Sequence, residues 1–235
     1  MNLILLFNED FIDKGRVCLK GRRAQHLLSV NRCSVGDSMR VGIENGDIGT
    51  GLVINVEKVR IELEVTLRIM PPPPIPLTLL LALPRPKALK RIIQAATAMG
   101  VKKIFILGCR HVEKSYWSTP VLTKENLRRH MILGLEQAQD TVMPRIQLRQ
   151  WFKPFVEDEL KTIAEKTTAL VAQPDAGTVC PRGCKNPVTL AIGPERGFIP
   201  YEIEKLKEVG FTPVSLGPRI LRVEHAVPAL IGRMM

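Results

Sequence analysis

Apolar residues in the first seventy positions follow the two-residue period that is typical of β-strands. Ile61, Leu63, Val65, Leu67 and Ile69 alternate with mostly polar neighbours, which predicts a half-buried strand. Shorter apolar runs bounded by turn-forming residues predict four further strands, at 3–7, 17–19, 39–43 and 51–56. Together with one predicted helix over 22–31, this pattern indicates a small β-barrel.

A run of prolines separates this region from the rest of the chain. Residues 71–76 read Pro-Pro-Pro-Pro-Ile-Pro, and consecutive prolines favour a stiff polyproline II spacer without backbone donors. Such a segment suits neither a helix nor a central strand. We therefore expect a first domain over 1–70, a proline-rich linker over 71–76 and a second domain over 77–235.

Beyond the linker, predicted strands and helices alternate. Short apolar runs predict strands at 77–83, 104–107, 169–172, 188–192 and 213–216. Apolar positions at helical spacing predict helices over 88–99, 124–139 and 200–209, and from Glu224 onwards. Strands that alternate with helices indicate an α/β domain with a mostly parallel sheet.

Positive charge is concentrated in this second region. The formal net charge is +11, yet residues 1–70 hold 10 Lys/Arg and 9 Asp/Glu, whereas residues 71–235 hold 24 and 14. Between Arg85 and Lys114 there are 8 basic residues and 1 acid. Such a field attracts a polyanion such as nucleic acid without sequence preference, although a solvated basic surface has the same composition. The candidate phosphate contacts are Arg85, Lys90, Arg91 and Arg110.

Several other classes of protein and site are disfavoured. The longest apolar run, Leu77 to Leu83, is far shorter than the roughly 20 residues of a membrane span, and the first residues lack the features of a signal peptide, which indicates a cytoplasmic protein. Cys180 and Cys184 have the spacing of metal ligands, but no second Cys/His pair lies near them in sequence, so we expect no metal site.

The glycine fingerprints of dinucleotide-binding and P-loop proteins and the serine motif of α/β-hydrolases are absent.

Two loops of the predicted sheet are rich in glycine and proline. Residues 191–198 and 216–224 each follow a predicted strand and lead into a predicted helix. Parallel sheets bind ligands at this end of their strands, and glycine lets the backbone approach a ligand closely. Both loops are therefore candidates for ligand binding, with ordinary strand-to-helix turns as the alternative.

The sequence of these loops resembles a known family. Ile-Gly-Pro-Glu-x-Gly-Phe at 192–198, paired with Leu-Gly-x-Arg-Ile-Leu-Arg-x-Glu at 216–224, resembles the RsmE family of SPOUT methyltransferases. The resemblance continues in Ala82-Leu83-Pro84-Arg85, in Glu136-Gln137-Ala138, and in His26-Leu27-Leu28 ahead of Gly36-Asp37. It spans nearly the whole chain in the family's order.

The resemblance implies a function and an architecture. It implies an enzyme that uses S-adenosylmethionine to methylate N3 of a uridine in 16S ribosomal RNA of the small subunit. It also implies a trefoil-knotted sheet, a PUA-like RNA-binding barrel in the first domain, and a homodimer. By motif position, the cofactor loops would be 171–174, 192–197 and 215–222. The cofactor-binding residues implied in these loops are Ala172, Gln173, Ile192, Gly193, Pro194, Glu195, Gly197, Leu216, Gly217 and Leu221.

The chemistry of such a transfer suggests two catalytic residues. Methyl transfer to uridine N3 requires an oriented nucleophile and the loss of a proton, but no metal. Glu224, at the start of the last predicted helix, is the candidate general base, and Arg222 is the candidate for stabilising charge on the base carbonyls. The alternative is structural, with both side chains used in ion pairing that fixes the loop.

The chain departs from the family pattern at several positions. Ala95, Ala98, Arg196 and His225 replace the usual Lys, Glu, Gly and Thr, and residues 109–111 read Cys-Arg-His. These changes fall where RNA and the target base would be handled. Two alternatives to uridine methylation therefore remain open: an RNA-binding relative without catalysis, and a SPOUT methyltransferase that acts on another base, another RNA or a protein side chain.

Overall fold

The computed structural model describes residues 2–29 and 32–235, and the chain divides into two compact units. The first unit is Met1–Pro73 together with Leu135–Met143, and the second is Pro74–Gly134 together with Pro144–Met235. The division falls within the proline-rich segment. The contribution of Leu135–Met143 to the first unit is not part of the sequence-based division, which places these residues in the second domain.

The first unit is built on one six-stranded sheet. Its strands are β1 (Ile4–Leu6), β2 (Phe11–Asp13), β3 (Arg16–Lys20), β4 (Ser38–Ile43), β5 (Ile48–Val56) and β6 (Arg60–Ile69). They lie in the order β1-β4-β5-β6-β3-β2, and only β1 and β4 pair in parallel among these neighbours. Helix α1 spans Gly21–Ser29, so the predicted helix exists, while its predicted end at Asn31 lies outside the described residues.

Burial of the apolar side chains along β6 ends before the apolar alternation in its sequence does. Ile61, Leu63 and Val65 are buried in the core of the first unit, where they contact residues of β3, β4 and α1. Leu67 is half-buried, and Ile69 is exposed at the end of the strand. The period-two pattern therefore predicts the strand, but not where the core ends.

The second unit contains a six-stranded sheet with helices on both faces. The strands are β7 (Leu77–Ala82), β8 (Lys103–Leu107), β9 (Arg145–Arg149), β10 (Thr168–Ala172), β11 (Val188–Ile192) and β12 (Thr212–Val214). Their order is β12-β10-β11-β7-β8-β9, and every neighbouring pair is parallel. Leu79, Leu80 and Leu81 are all inaccessible to solvent, which requires cover on both faces of the sheet. The prediction of an α/β domain with a mostly parallel sheet is confirmed.

The helices of the second unit match the predicted ones and add a further segment. They are α2 (Pro86–Ala98), α3 (Lys124–Ala138), α6 (Pro200–Glu208) and α7 (Val223–Met234), and the end of α3 from Leu135 belongs to the first unit. The additional segment comprises α4 (Phe152–Pro154), a π-helical turn (Phe155–Leu160) and α5 (Lys161–Ala164). Its side chains Phe155 and Leu160 pack with residues of α6 against one face of the sheet, while α2 packs against α7.

A buried ion pair anchors the start of the first unit. The guanidinium of Arg23 on α1 donates to both carboxylate oxygens of Asp10, at 2.5 and 2.7 Å, and also to the carbonyl of Leu5 in β1. The same carboxylate accepts the amide of Phe7, whose ring lies under the guanidinium at 4.7 Å. The side chains of Asp10 and Arg23 are only 6% and 13% exposed, so removal of either partner leaves a buried charge without compensation.

We expect Asp10→Ala to lower the free energy of unfolding of the first unit by about 3–5 kcal/mol, the usual cost of breaking a buried pair. Faster hydrogen exchange at the β1 and β4 amides of the full chain would report the loss. Asp13→Ala removes the partner of Arg16 in an exposed pair and serves as the control, with little change expected. Equal exchange rates in the two variants would contradict this assignment.

Candidate functional site

A cavity opens at the carboxyl ends of the three strands β10, β11 and β12. These strands are neighbours in the sheet, so the loops that follow them begin side by side. The cavity between these loops has a volume of about 300 Å³. Its position agrees with the general rule that parallel sheets bind ligands outside the carboxyl ends of their strands.

The ten residues predicted to bind a cofactor all line this one cavity. They come from three loops that are separated by up to about fifty positions in the sequence, and the fold brings them together. The ten are Ala172, Gln173, Ile192, Gly193, Pro194, Glu195, Gly197, Leu216, Gly217 and Leu221. Their direct contact with a cofactor stays a prediction.

Besides Arg222, a candidate catalytic residue, eight further residues line the cavity and are not among those ten. They are Pro174, Val214, Ser215, Arg219, Ile220, Val223, Ala226 and Leu230. Most lie within or next to the three loops. Ala226 and Leu230 instead lie one and two turns along α7 from Arg222, on the face that this i, i+4 spacing defines. That spacing is the one signal in the sequence from which they could have been found.

The loop after β11 is folded tightly against itself. A Cβ atom added to Gly193 would lie 2.9 Å from the amide nitrogen of Phe198 and 3.0 Å from the backbone of Gly197. Gly197 has a φ of +69°, a conformation that side chains disfavour, and its amide donates to the carbonyl of Pro194 at 2.8 Å. The sequence suggests glycine here for close approach to a ligand. The structure gives a different reason at Gly193, namely close approach of the loop to its own backbone.

The loop after β12 offers main-chain donors next to apolar side chains. Gly217 turns this loop with a φ of +110°. Within the described chain, the amides of Leu216, Gly217 and Leu221 make no hydrogen bond to another residue. Ile220 is 81% exposed, although it borders the cavity. The loop therefore combines free amides with apolar surface, which suits a flat heterocycle with polar edges.

Of the two candidate catalytic residues, one lines the cavity and the other does not. Arg222 lines it and caps α7, where its carbonyl accepts the amides of His225 and Ala226 at 2.9 and 2.8 Å. Glu224 lies in the first turn of α7, half-buried, and is not among the lining residues. In the part of the chain that the structure describes, neither side chain forms an ion pair. The alternative in which ion pairing of these residues fixes the loop therefore has no support in this structure.

The four candidate phosphate contacts are exposed, and the backbone amides of two of them bond to glutamates, one in the cavity loop and one in the first turn of α6. The amide of Arg85 donates to Glu195 Oε1 at 2.9 Å, and the amide of Arg110 donates to Glu202 Oε1 at 2.7 Å. Lys90 and Arg91 lie further along α2, without such a link. Among the described residues, none of these four side chains takes part in an ion pair, so their charges are available to an anion.

The cysteines and acidic residues do not suggest metal or thiol chemistry at this site. Burial, and then the charge of Glu202, raises the pKa of the Cys109 thiol to about 12, so the thiol is protonated at neutral pH. Burial also raises the pKa of Cys180. Over residues 2–29 and 32–235, no group of three or more His, Cys, Asp or Glu side chains could hold a metal ion. The helices in these ranges are all too short or too polar to cross a membrane.

Comparisons with known proteins agree on one family. Residues 71–235 match the family model described as RNA methyltransferase domain. Ribosomal RNA small subunit methyltransferase E of Treponema pallidum is 28% identical, over 96% of this chain and 88% of its own length. Ribosomal RNA small subunit methyltransferase E 1 of Borreliella burgdorferi is 26% identical, over 97% of this chain and 95% of its own length.

A solved structure shows the same fold along nearly the whole chain. It is the ribosomal RNA small subunit methyltransferase E of Neisseria gonorrhoeae bound to S-adenosyl methionine, with a TM-score of 0.77 and 20% identity. The match covers 97% of this chain and 95% of the other. With the family model over the α/β unit and relatives of one name along the full length, the chain belongs to the RNA methyltransferase domain family and, within it, to the RsmE family.

Proposed function

We infer that this protein is an S-adenosylmethionine-dependent methyltransferase of small-subunit (16S) ribosomal RNA. The observation that carries this conclusion is the convergence of all ten predicted cofactor residues on one cavity, within the residues that match the family model. The relatives named above are methyltransferases of small-subunit ribosomal RNA over nearly the same length. The alternatives without catalysis or with another substrate have no comparable support.

The cavity fits the methyl donor that this function requires. Its volume of about 300 Å³ lies at the lower end of the range for small-molecule sites. Leu216, Leu221 and Ile192 supply apolar surface for an adenine ring, and the free amides of the β12 loop supply donors for its polar atoms. When bound, S-adenosylmethionine would supply a methyl group on a sulfonium, which a nucleophile can attack directly with S-adenosylhomocysteine as the leaving group.

The residues around the cavity suggest how the chain would treat a uridine. We assign to Glu224 the removal of the N3 proton and to Arg222 the stabilisation of the negative charge that develops on the base carbonyls. This assignment is supported by the position of Arg222 at the N-terminus of α7, where the helix dipole favours negative charge nearby. Phosphates of the RNA would be held by four basic side chains that are exposed and form no ion pair in the described chain, namely Arg85, Lys90, Arg91 and Arg110.

The same proposal extends to the finer architecture that the family implies. A trefoil knot is supported by the loop after β10, where the amides of Gly183 and Cys184 donate to the carbonyls of Arg233 and Met234 near the end of α7. A PUA-like RNA-binding barrel is supported by the six-stranded sheet of the first unit and the cluster of buried apolar residues that its strands share with α1. A homodimer is implied by the resemblance to the family, and the exposed apolar side chain of Ile220 beside the cavity is one residue that such an interface would cover. We place the enzyme in the cytoplasm, with the small ribosomal subunit as its partner.

Methyl transfer tests the function directly. With methyl-labelled S-adenosylmethionine, the purified protein should label small ribosomal subunits that lack the modification, and mass spectrometry of the digested RNA should find N3-methyluridine. Label on another base would support a different SPOUT methyltransferase. RNA binding without any label would support the relative that has lost catalysis.

Cofactor binding should depend on the tight turn after β11. Gly193→Ala adds a Cβ about 3 Å from the Gly197 and Phe198 backbone, so the loop must shift, and we expect at least a tenfold weaker affinity, or about 1.4 kcal/mol. Gly177→Ala is the control, because a Cβ there meets no other atom. Calorimetry with S-adenosylhomocysteine measures both. Similar affinities for the two variants would place the cofactor elsewhere.

The division of roles between Glu224 and Arg222 should appear in the pH dependence of single-turnover methylation. If Glu224 removes the N3 proton, Glu224→Gln should lower the rate about 10²–10⁴-fold, and less so as rising pH ionises the uridine without assistance. If Arg222 dominates, Arg222→Met should cause the larger loss, with Glu224→Gln mild from about pH 6 to about pH 9.5. Equal losses that are independent of pH and accompanied by weak cofactor binding would mean that both residues only shape the loop.

A further inference from the structure

A buried carboxylate lies next to the cofactor loop without any basic partner in the described chain. The side chain of Glu202, in the first turn of α6, is only 3% exposed. Oε2 accepts the amide of Ile199 at 3.0 Å, and Oε1 accepts the amide of Arg110 at 2.7 Å. These two charge-assisted bonds and the N-terminal dipole of α6 compensate for the burial of the charge.

The two carboxylate oxygens of Glu202 bond to different parts of the chain. The bond from Ile199 is local, because it caps the helix to which Glu202 itself belongs. The bond from Arg110 joins residues that are 92 positions apart, and it links the turn after β8 to the start of α6. A helix cap needs only the first bond. The second bond therefore requires another explanation.

The turn that carries Arg110 is docked onto the cofactor loop at a second point. His111 Nδ1 lies 3.0 Å from the carbonyl oxygen of Gly197, and because a carbonyl only accepts, this nitrogen carries the proton and donates. Gly197 lines the cavity, whereas the side chain of Arg110 points away from the protein core into solvent. Two hydrogen bonds thus hold the backbone of this turn, which carries an exposed cation, relative to the cavity loop.

We propose that Glu202 is a positioning residue, which holds Arg110 at a fixed place relative to the cofactor loop so that a phosphate of the bound RNA and the methyl donor are aligned. This proposal rests on the proposed function. Glu202 touches neither substrate, and it acts through the backbone of Arg110. Its contribution lies in the transfer step, because a misplacement of about 1 Å can cost about 100-fold in rate while leaving binding intact.

The variant Glu202→Gln separates alignment from binding. A glutamine side chain has a single acceptor oxygen, so it satisfies the amide of Ile199 or that of Arg110, but not both. We expect the single-turnover rate at saturating RNA and cofactor to fall at least tenfold, with the dissociation constants for both within about threefold of wild type. Hydrogen exchange at residues 109–112 should accelerate.

Two further variants provide the comparison. Glu204→Gln lies on the same helix, in an exposed pair with Lys207, and should behave like the wild type. Arg110→Ala keeps the backbone bond but removes the cation. It should weaken RNA binding and lower the slope of log K against log salt by about one phosphate contact. Because the proposed alignment acts through this cation, the rate at saturating RNA should fall at least as much as in Glu202→Gln.

The outcomes distinguish a failure of the proposed function from a failure of the role proposed for Glu202. If the wild type transfers no methyl group to small-subunit RNA, the proposed function fails, and this inference with it. If the wild type is active and Glu202→Gln is equally active, only the inference fails. The inference also fails if Glu202→Gln loses cofactor affinity and thermal stability in proportion to rate, because the residue would then be a helix cap and nothing more.

Discussion

The level alignment of three parallel strands is the constraint on which the site depends. Ala172, the last residue of β10, is in register with Ile192 on one side and with Val214 on the other, and these are the last residues of β11 and β12. The three following loops therefore start at the same height, and the cavity forms between them. A slip of one residue would move a loop by about 3.3 Å and turn its strand's side chains to the opposite face.

The strands and helices that carry the site are predictable because their apolar patterns are strong. β7 and β11 are buried on both faces and are apolar in sequence apart from one threonine in each. β9 is an edge strand of the sequence Arg-Ile-Gln-Leu-Arg, largely half-buried or exposed, so its pattern is too short and too polar to stand out. The helical segment that begins at Phe152 is obscured by Pro154, which occurs where a helical pattern would normally be continuous.

The residues of the site are predictable from the sequence only in part. Physical reasoning from the sequence indicates two ligand-binding loops, while the identity of the ligand and the ten residues come from the resemblance to RsmE proteins. Leu230 shares the i, i+4 spacing of Arg222 and Ala226, but the same spacing is typical of a helix interface, so it does not by itself identify a cavity wall. Glu202 has the spacing of a helix cap, and its bond to Arg110 exists only because the fold brings together segments 92 residues apart.

The free amides of Leu216, Gly217 and Leu221 have a consequence for inhibition. A compound that accepts hydrogen bonds from these groups depends on the peptide backbone, which most substitutions leave in place. Proline is the exception because it lacks the amide hydrogen, but at Gly217 its fixed negative φ conflicts with the observed +110°. Escape by point mutation would therefore have to reshape the turn after β12, and with it the cavity that we propose binds the cofactor.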